Sequence, residues 1–536
     1  MGGRKGAACA GAWIALGSAL LARGRTRRAR TVLQRALRRD PDAPRAHELL
    51  ARASLRQRRH ADAERHLRAW LRADPRSAEA HADLGALLSL RGELQRAEWH
   101  LQQATGLAPR DARVAFVLGV HLERLGRSEA ARAQLLRAAR RGLAPAQSAL
   151  ASFQARRADT RARRAALRWW IRAAGAGDAD ACFQLGVRFD TGEGGLPQDP
   201  ARAARLYARA ARAGLAAAQH NLGLLYAQGR GVRRDDARAA RWYARAARRG
   251  EVHAQTNLGC CYAQGTGVPQ DLARARFWFE RAARRGHALA QFNAGVLCES
   301  GEGGPREPVR ALRWLRNAAR RGCAPAAFYL GVLHEIGDSA PRDMRKARRW
   351  QRRAADQGHA PAQLHLAERA LAAGGSRDRE AATWLTRAAA QGHAEAEYLL
   401  AFLHHQGRGV ASDPRRTFWW MSRAAHRGHL DAQVCLGVLY TRGEGVRSDP
   451  EAAAAWFARA AERGDAPAQR RLARCYASGV GVPLDVPEAF KWLMLAAEGG
   501  DARSRRLCEA LGAELSVRER WEARRRVAEW RKQAGA

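Results

Sequence analysis

The sequence predicts an all-α fold, an α/α superhelical solenoid of helix-turn-helix repeats, and three observations carry that expectation. A phrase of 36 residues recurs, clearest at Glu251 to Gly286 (EVHAQTNLGCCYAQGTGVPQDLARARFWFERAARRG). Its closing glycines Gly214, Gly250, Gly286, Gly322 and Gly358 stand 36 apart, Gly392 follows after 34, and Gly428, Gly464 and Gly500 resume the spacing. Nearer the N-terminus the period is 34, marked by Pro41, Pro75 and Pro109. Hydrophobic residues make up 46% of the chain but aromatic residues only 7%, so the core must be built from Ala and Leu, both strong helix formers. A unit of this length cannot bury its apolar face alone and must stack on its neighbours, so the 536 residues measure surface rather than a number of globular domains.

Taken in order, residues 1–142 hold four units of the shorter period. The first reads Trp13, Leu16, Gly17, Leu20, Ala29, Leu33, Ala36, Pro41, and the third Leu84, Gly85, Leu88, Ala97, Leu101, Ala104, Pro109. The second is looser, with Ser54 and Trp70 at key positions, and the fourth ends in ARRG like the later repeats. Residues 143–178 form a degenerate transitional repeat that lacks a glycine loop, and residues 179–500 form nine full 36-residue units. In the quoted unit Ala275, Trp278, Phe279, Ala282 and Ala283 fall on one helical stripe that must be buried. Asp271 stands at an N-cap position. Its equivalents Asp199, Asp413 and Asp449 are each followed by proline at the first helical position, where the missing N–H costs nothing. Arginine pairs such as Arg248-Arg249, Arg284-Arg285 and Arg320-Arg321 complement the negative helix terminus before a glycine that supplies the left-handed cap. Residues 501–536, with Trp521 and Trp530 on a charged helix, read as the polar cap a solenoid needs, closing one continuous superhelix of roughly 30 helices at two per repeat.

The N-terminal units resemble tetratricopeptide repeats at nearly every key position. From Ala144 onward the pattern A-x-x-x-LG-x-x-Y-x-x-G-x-GV-x-x-D, followed by a tryptophan-bearing helix ending AA-x-x-G, resembles Sel1-like repeats over about two thirds of the chain. The resemblance implies a non-enzymatic scaffold or adaptor that binds a protein or peptide through the concave face of its superhelix, often in bacterial signalling, envelope or host-contact pathways.

The motifs agree with an absence of catalysis. The loops Gly229 to Val232, Gly265 to Val268, Gly407 to Val410, Gly443 to Val446 and Gly479 to Val482 recur between helices, without the preceding strand and Lys-Ser/Thr of a phosphate loop, and read as turns. His287, His359, His393 and His429 follow closing glycines and read as repeat-consensus residues rather than ligands, as do the neighbouring His404, His405 and His426. No H-E-x-x-H, paired-cysteine zinc pattern or G-x-S-x-G elbow appears, so no catalytic, metal or cofactor site is assigned. Nine tryptophans, Trp169, Trp242, Trp278, Trp314, Trp350, Trp384, Trp420, Trp456 and Trp492, stand eight residues before a closing glycine and read as core. Trp70, Trp99, Trp170 and Trp419 fall outside that register and are either exposed partner anchors or displaced core residues, with Trp70 and Trp99 taken as partner-binding candidates. Asn221, Asn257 and Asn293 occupy one position in three consecutive repeats. They form either a ladder that grips a peptide backbone or a set of inter-repeat hydrogen bonds.

The 94 Lys+Arg against 52 Asp+Glu give a net charge of +42 and favour an acidic protein or peptide partner. Only Lys5, Lys346, Lys491 and Lys532 are lysines, a bias that a G+C-rich coding background would also produce. The first 39 residues contain ten basic groups and no acid, so a second reading is a nucleic-acid-associated protein that binds phosphate backbone without sequence preference. Nine scattered cysteines form no framework and point to a reducing, cytoplasmic setting. A third reading is an exported, envelope-associated protein, periplasmic or secreted, if residues 1–22 act as a signal peptide, although the uncharged stretch Gly6 to Ala22 also fits a repeat helix. No segment has the apolar length of a transmembrane helix.

Overall fold

The structure is a computed structural model and describes residues 2–156 and 159–534. The side chains of residues 2–9, including Arg4, Lys5 and Cys9, and of residue 534 lie outside the described residues. Among the described residues there are thirty α-helices, two short 3-10 turns and no strand. The helices group into two compact units, Met1–Asp271 and Leu272–Ala536. In each, a leading helix such as Ala216–Gln228 packs on a second helix such as Asp236–Arg248, and the second helix packs on the next leading helix.

The helix boundaries form where the side chains dictate. Asp199, Asp413 and Asp449 accept backbone N–H bonds at 2.8, 3.0 and 3.0 Å at the starts of second helices. The closing glycines Gly214 to Gly500 take φ between 80° and 97°, a conformation costly to any residue with a Cβ. Three of the four consensus histidines cap leading helices: Nδ1 of His287, His359 and His429 accepts the N–H three residues on, at 3.3, 3.3 and 3.2 Å, whereas His393 makes no such bond.

Two glycine positions set the packing distances. The first is the glycine of the leading helix's LG step, which lies against the largest core side chain of the second helix. A Cβ on Gly186, Gly223 or Gly437 would come within 2.7, 2.6 or 2.5 Å of the Tyr207, Tyr243 or Phe457 ring. Where the chain writes Ala instead, at Ala367, Ala401 and Ala473, the residue in the same buried cluster is the narrower Leu385, Met421 or Leu493. The shorter repeats share the device, with Gly17, Gly85 and Gly119 against Leu33, Leu101 and Leu135. The second is the later glycine of each loop, whose Cα lies on the backbone that begins the previous repeat's second helix. A Cβ on Gly267, Gly445 or Gly481 would sit 2.1, 2.0 or 2.0 Å from the carbonyl oxygen of Asp236, Pro414 or Pro450.

A buried glutamine seals six of the nine joints. Gln219, Gln255, Gln291, Gln363, Gln433 and Gln469 donate through Nε2 to the carbonyls of Ala211, Ala247, Ala283, Ala355, Ala425 and Ala461, at 2.9–3.2 Å. Each satisfies a carbonyl left over at the preceding helix's C-terminus. Three units replace this glutamine, with Cys182, Ala327 and Glu397; of these Glu397 is 0% exposed and is neutralised by Arg423 and Arg427 at 2.7 and 3.2 Å. At the C-terminus, Ala523 and Val527 are buried while Trp521 faces outward, and Trp530 meets Trp492 edge-on at 6.2 Å.

These contacts predict unequal glycine costs in urea denaturation. Gly443→Ala carries only the left-handed penalty, about 1–2 kcal/mol. Gly445→Ala adds backbone overlap and is expected to lose about 3 kcal/mol or more. Gly437→Ala is expected to cost about 1–3 kcal/mol by overpacking Phe457, and Phe457→Leu introduced alongside it should recover much of that loss, because Ala with Leu is the pair found at Ala473 and Leu493. Equal costs at Gly443 and Gly445, or no recovery in the double variant, would contradict this packing scheme.

Candidate functional site

The second repeat places its side chains on two opposite stripes. On the helix His60–Ala73, Ala63, Leu67 and Trp70 point into the core, which leaves Ala61, Arg65, Arg68 and Arg72 along the other side at helical spacing. With Leu71, Leu84, Arg91 and His100 they line a groove of about 790 Å³. Glu64 is the single acid in its wall, nearly buried and paired with Arg68 at 2.5 Å and with Arg91. Arg65 reaches Asp62 only at 3.4 Å, and Arg72 has no acidic partner within salt-bridge distance among the described residues. Four guanidinium groups against one carboxylate make the groove a focus of positive potential.

Trp99 stands at the edge of this groove, 54% exposed, with its ring edge-on to His100 at 4.8 Å and tilted against His81 at 5.8 Å. Trp70 does not join it. It is 6% exposed and packs with Leu67, Leu84 and Leu87, so it is a core residue and not a surface anchor. It replaces the alanine of the sister repeats (Ala36, Ala104), while the buried Ser54 replaces their leucine, a compensating exchange of volume. Trp170 is likewise buried, whereas Trp419 is 49% exposed and lies beneath Arg423 at 4.7 Å.

The register tryptophans also need correction as a group. Trp384, Trp456 and Trp492 are buried, but Trp169, Trp242, Trp278, Trp314, Trp350 and Trp420 are only half-buried. The deep core position is the next residue, as at Tyr207, Tyr243, Phe279 and Phe457. Arginine three residues on covers many of these indoles, at 4.6 Å for Arg245 on Trp242 and 4.5 Å for Arg459 on Trp456.

Asn221, Asn257 and Asn293 are all half-buried on leading helices. Asn221 shares a hydrogen bond with the Tyr207 hydroxyl and Asn257 with that of Tyr243, each on the preceding second helix. Asn257 Nδ2 also donates to His220 Nε2 at 3.1 Å. Burial pushes the Tyr207 hydroxyl up to about 12, so it stays protonated and available to hydrogen-bond at neutral pH.

The glycine loops have no space for a phosphate at the glycines that abut backbone. Glu280, Cys298 and Glu307 bring three ligand atoms within 4.8 Å of one another, but Arg276 and Arg310 already occupy the carboxylates. The eight cysteines with described side chains are free. No helix among the described residues is long and apolar enough to cross a membrane.

One arrangement escaped the sequence reading. His47 and His66 face each other through Nδ1 at 3.2 Å, and His81 and His100, 34 residues later, do so at 3.0 Å. The signal was available as a 19-residue separation occurring twice, but it joins two helices and is invisible on either alone. Burial, the partner imidazole and nearby arginines depress His66 and His100 to about 4. The unfolded chain protonates these groups near 6.5 and the folded chain does not, so their contribution to stability is full above about 6.5 and lost as pH falls towards 4. Melting followed by circular dichroism should show the Met1–Asp271 unit weakening over that interval, and His66→Gln with His100→Gln should flatten the dependence.

Comparison with known proteins adds the family. The tetratricopeptide repeat model matches residues 14–78 and 83–149, and the Sel1 repeat model matches ten consecutive segments from 144–178 to 466–501. No curated protein matches the chain. Among solved structures, a protective antigen of uropathogenic Escherichia coli strains displaying an SLR fold is 28% identical, with a TM-score of 0.46, over 75% of this chain and 94% of that one. A Sel1 repeat protein from Oxalobacter formigenes is 34% identical, with a TM-score of 0.34, over 64% and 90%. A putative Sel1 repeat protein from Klebsiella pneumoniae is 27% identical, with a TM-score of 0.26, over 36% and 95%. Both repeat families are in general protein–protein interaction scaffolds and are typically non-catalytic. With Sel1 repeats matched over most of its length, the chain belongs to the Sel1 repeat family and carries tetratricopeptide repeats ahead of the array.

Proposed function

We propose that this protein is a non-enzymatic scaffold whose partner is an acidic protein or peptide, with the groove walled mainly by the second helix His60–Ala73 of the tetratricopeptide segment as the principal contact. The observation that carries the reading is the excess of guanidinium groups at Arg65, Arg68, Arg72 and Arg91 over the lone Glu64 in a groove of about 790 Å³. An extended acidic segment matches that charge, and Trp99 at the groove's edge supplies a large, rigid apolar surface. Asn221, Asn257 and Asn293 enter the proposal as secondary contacts. The hydrogen bond from Asn257 to His220 sets that amide in place.

The test is affinity capture from the native host at moderate salt, with and without nuclease, with bound proteins identified by mass spectrometry. A small set of acidic proteins should survive nuclease treatment. Arg65→Ala combined with Arg72→Ala should reduce their capture at least several-fold while the melting temperature is unchanged, because neither side chain is buried. Proteins that vanish with nuclease would assign the charge to phosphate backbone instead, with the steep salt dependence of counterion release.

A further inference from the structure

The two histidine pairs have the geometry of chelating sites. His47 and His81 lie on leading helices, and in both the Nε2 atom contacts a backbone carbonyl, Pro41 O at 2.8 Å and Pro75 O at 3.2 Å. A carbonyl only accepts, so Nε2 carries the proton and Nδ1 presents a lone pair towards the partner ring. A carbonyl on the far nitrogen is also the support that orients metal-binding imidazoles. The partners His66 and His100 lie on the second helices of the same repeats. The facing nitrogens are 3.2 and 3.0 Å apart, with ring planes inclined by 39° and 40°. Two nitrogens at that separation, each about 2.05 Å from one ion, subtend roughly 94–103°, between the square-planar and tetrahedral angles.

The repeats themselves argue that the pair is one device. The first repeat has Trp13 and Val32 at these two positions and the fourth has Ala115 and Gln134, whereas the second and third carry both histidines. No repeat carries one without the other. His47 and His81 are buried and His66 and His100 half-buried, so each pair is held within the packing of its repeat.

We infer that His47 with His66, and His81 with His100, are two equivalent two-histidine sites for a divalent transition-metal ion that favours imidazole nitrogen, such as copper(II), nickel(II) or zinc(II). On binding, His66 and His100 take the Nε2–H tautomer, the proton between the two Nδ1 atoms passing through solvent to Nε2 with no net release, and water completes the coordination. The ion then bridges the leading and second helices of one repeat. The inference does not require the acidic partner and is tested without one, although His100 also lines that groove.

The test is copper(II) titration of the untagged full chain in a weakly competing buffer, followed by electron paramagnetic resonance. Two equivalents per chain should bind, each with hyperfine structure from two imidazole nitrogens. His66→Gln should remove one equivalent, His66→Gln with His100→Gln should remove both, and His60→Ala, an exposed histidine outside the pairs, should change nothing. The opposite partners, His47→Gln with His81→Gln, give the same loss by a second route, and circular dichroism verifies the helical content of each variant. Zinc(II) should raise the melting temperature of the parent protein and leave the doubly substituted one unshifted. Uptake and spectrum unchanged in both double variants, or no uptake by the parent chain against the competitor, would overturn the assignment.

Discussion

The contact on which the Sel1 array most depends is a glycine backbone lying directly on another backbone. Gly267, Gly445 and Gly481 touch the start of the second helix one repeat earlier, where no side-chain atom fits. Backbone against backbone is a rigid spacer, so the contact sets how closely one repeat approaches the next. The remaining packing follows from that distance. Leading-helix glycines accept the rings of Tyr207, Tyr243 and Phe457, and in six units a buried glutamine satisfies a carbonyl at the joint. Small, polar and left-handed residues appear where the spacing demands them, which is why the period is so strictly kept.

A stack fixed in this way by internal contacts leaves its exposed side chains free to vary. The charge is concentrated there. Many arginines have structural duties, covering indoles or neutralising a buried acid such as Glu397. Arg65 and Arg72 have weaker ties or none, and they line a groove whose wall includes His100, the ring on which the exposed Trp99 packs. The distinction between employed and unemployed arginine narrows a net charge of +42 to a local surface.

The repeat period, the aspartate caps and the closing glycines were legible because each depends on a residue type with one dominant local role. The consensus histidines were recognised as repeat features, and their capping bonds supply the reason. The tryptophan register misled because an indole on an apolar stripe reads as core, while helical geometry turns the following residue, such as Phe279, further inward. The glutamine joints were not legible, since glutamine ordinarily reads as surface and its role appears only when the neighbouring helix end is present. The histidine pairs were hidden for a related reason, because helical periodicity says nothing about which residues meet across a turn. Trp70 shows the remaining limit: its burial depends on space left at Ser54 and not on anything in its own helix.

Side-chain footprinting by hydroxyl radicals on the captured complex tests the central claim most directly, because it reports which surface a partner covers without altering the chain. The account predicts that Trp99 and Leu71 lose reactivity when the partner is bound, while the exposed Trp419 and Trp521 retain it. Unchanged reactivity at Trp99 and Leu71, with protection elsewhere, would contradict the assignment of the arginine-lined groove as the partner-binding surface.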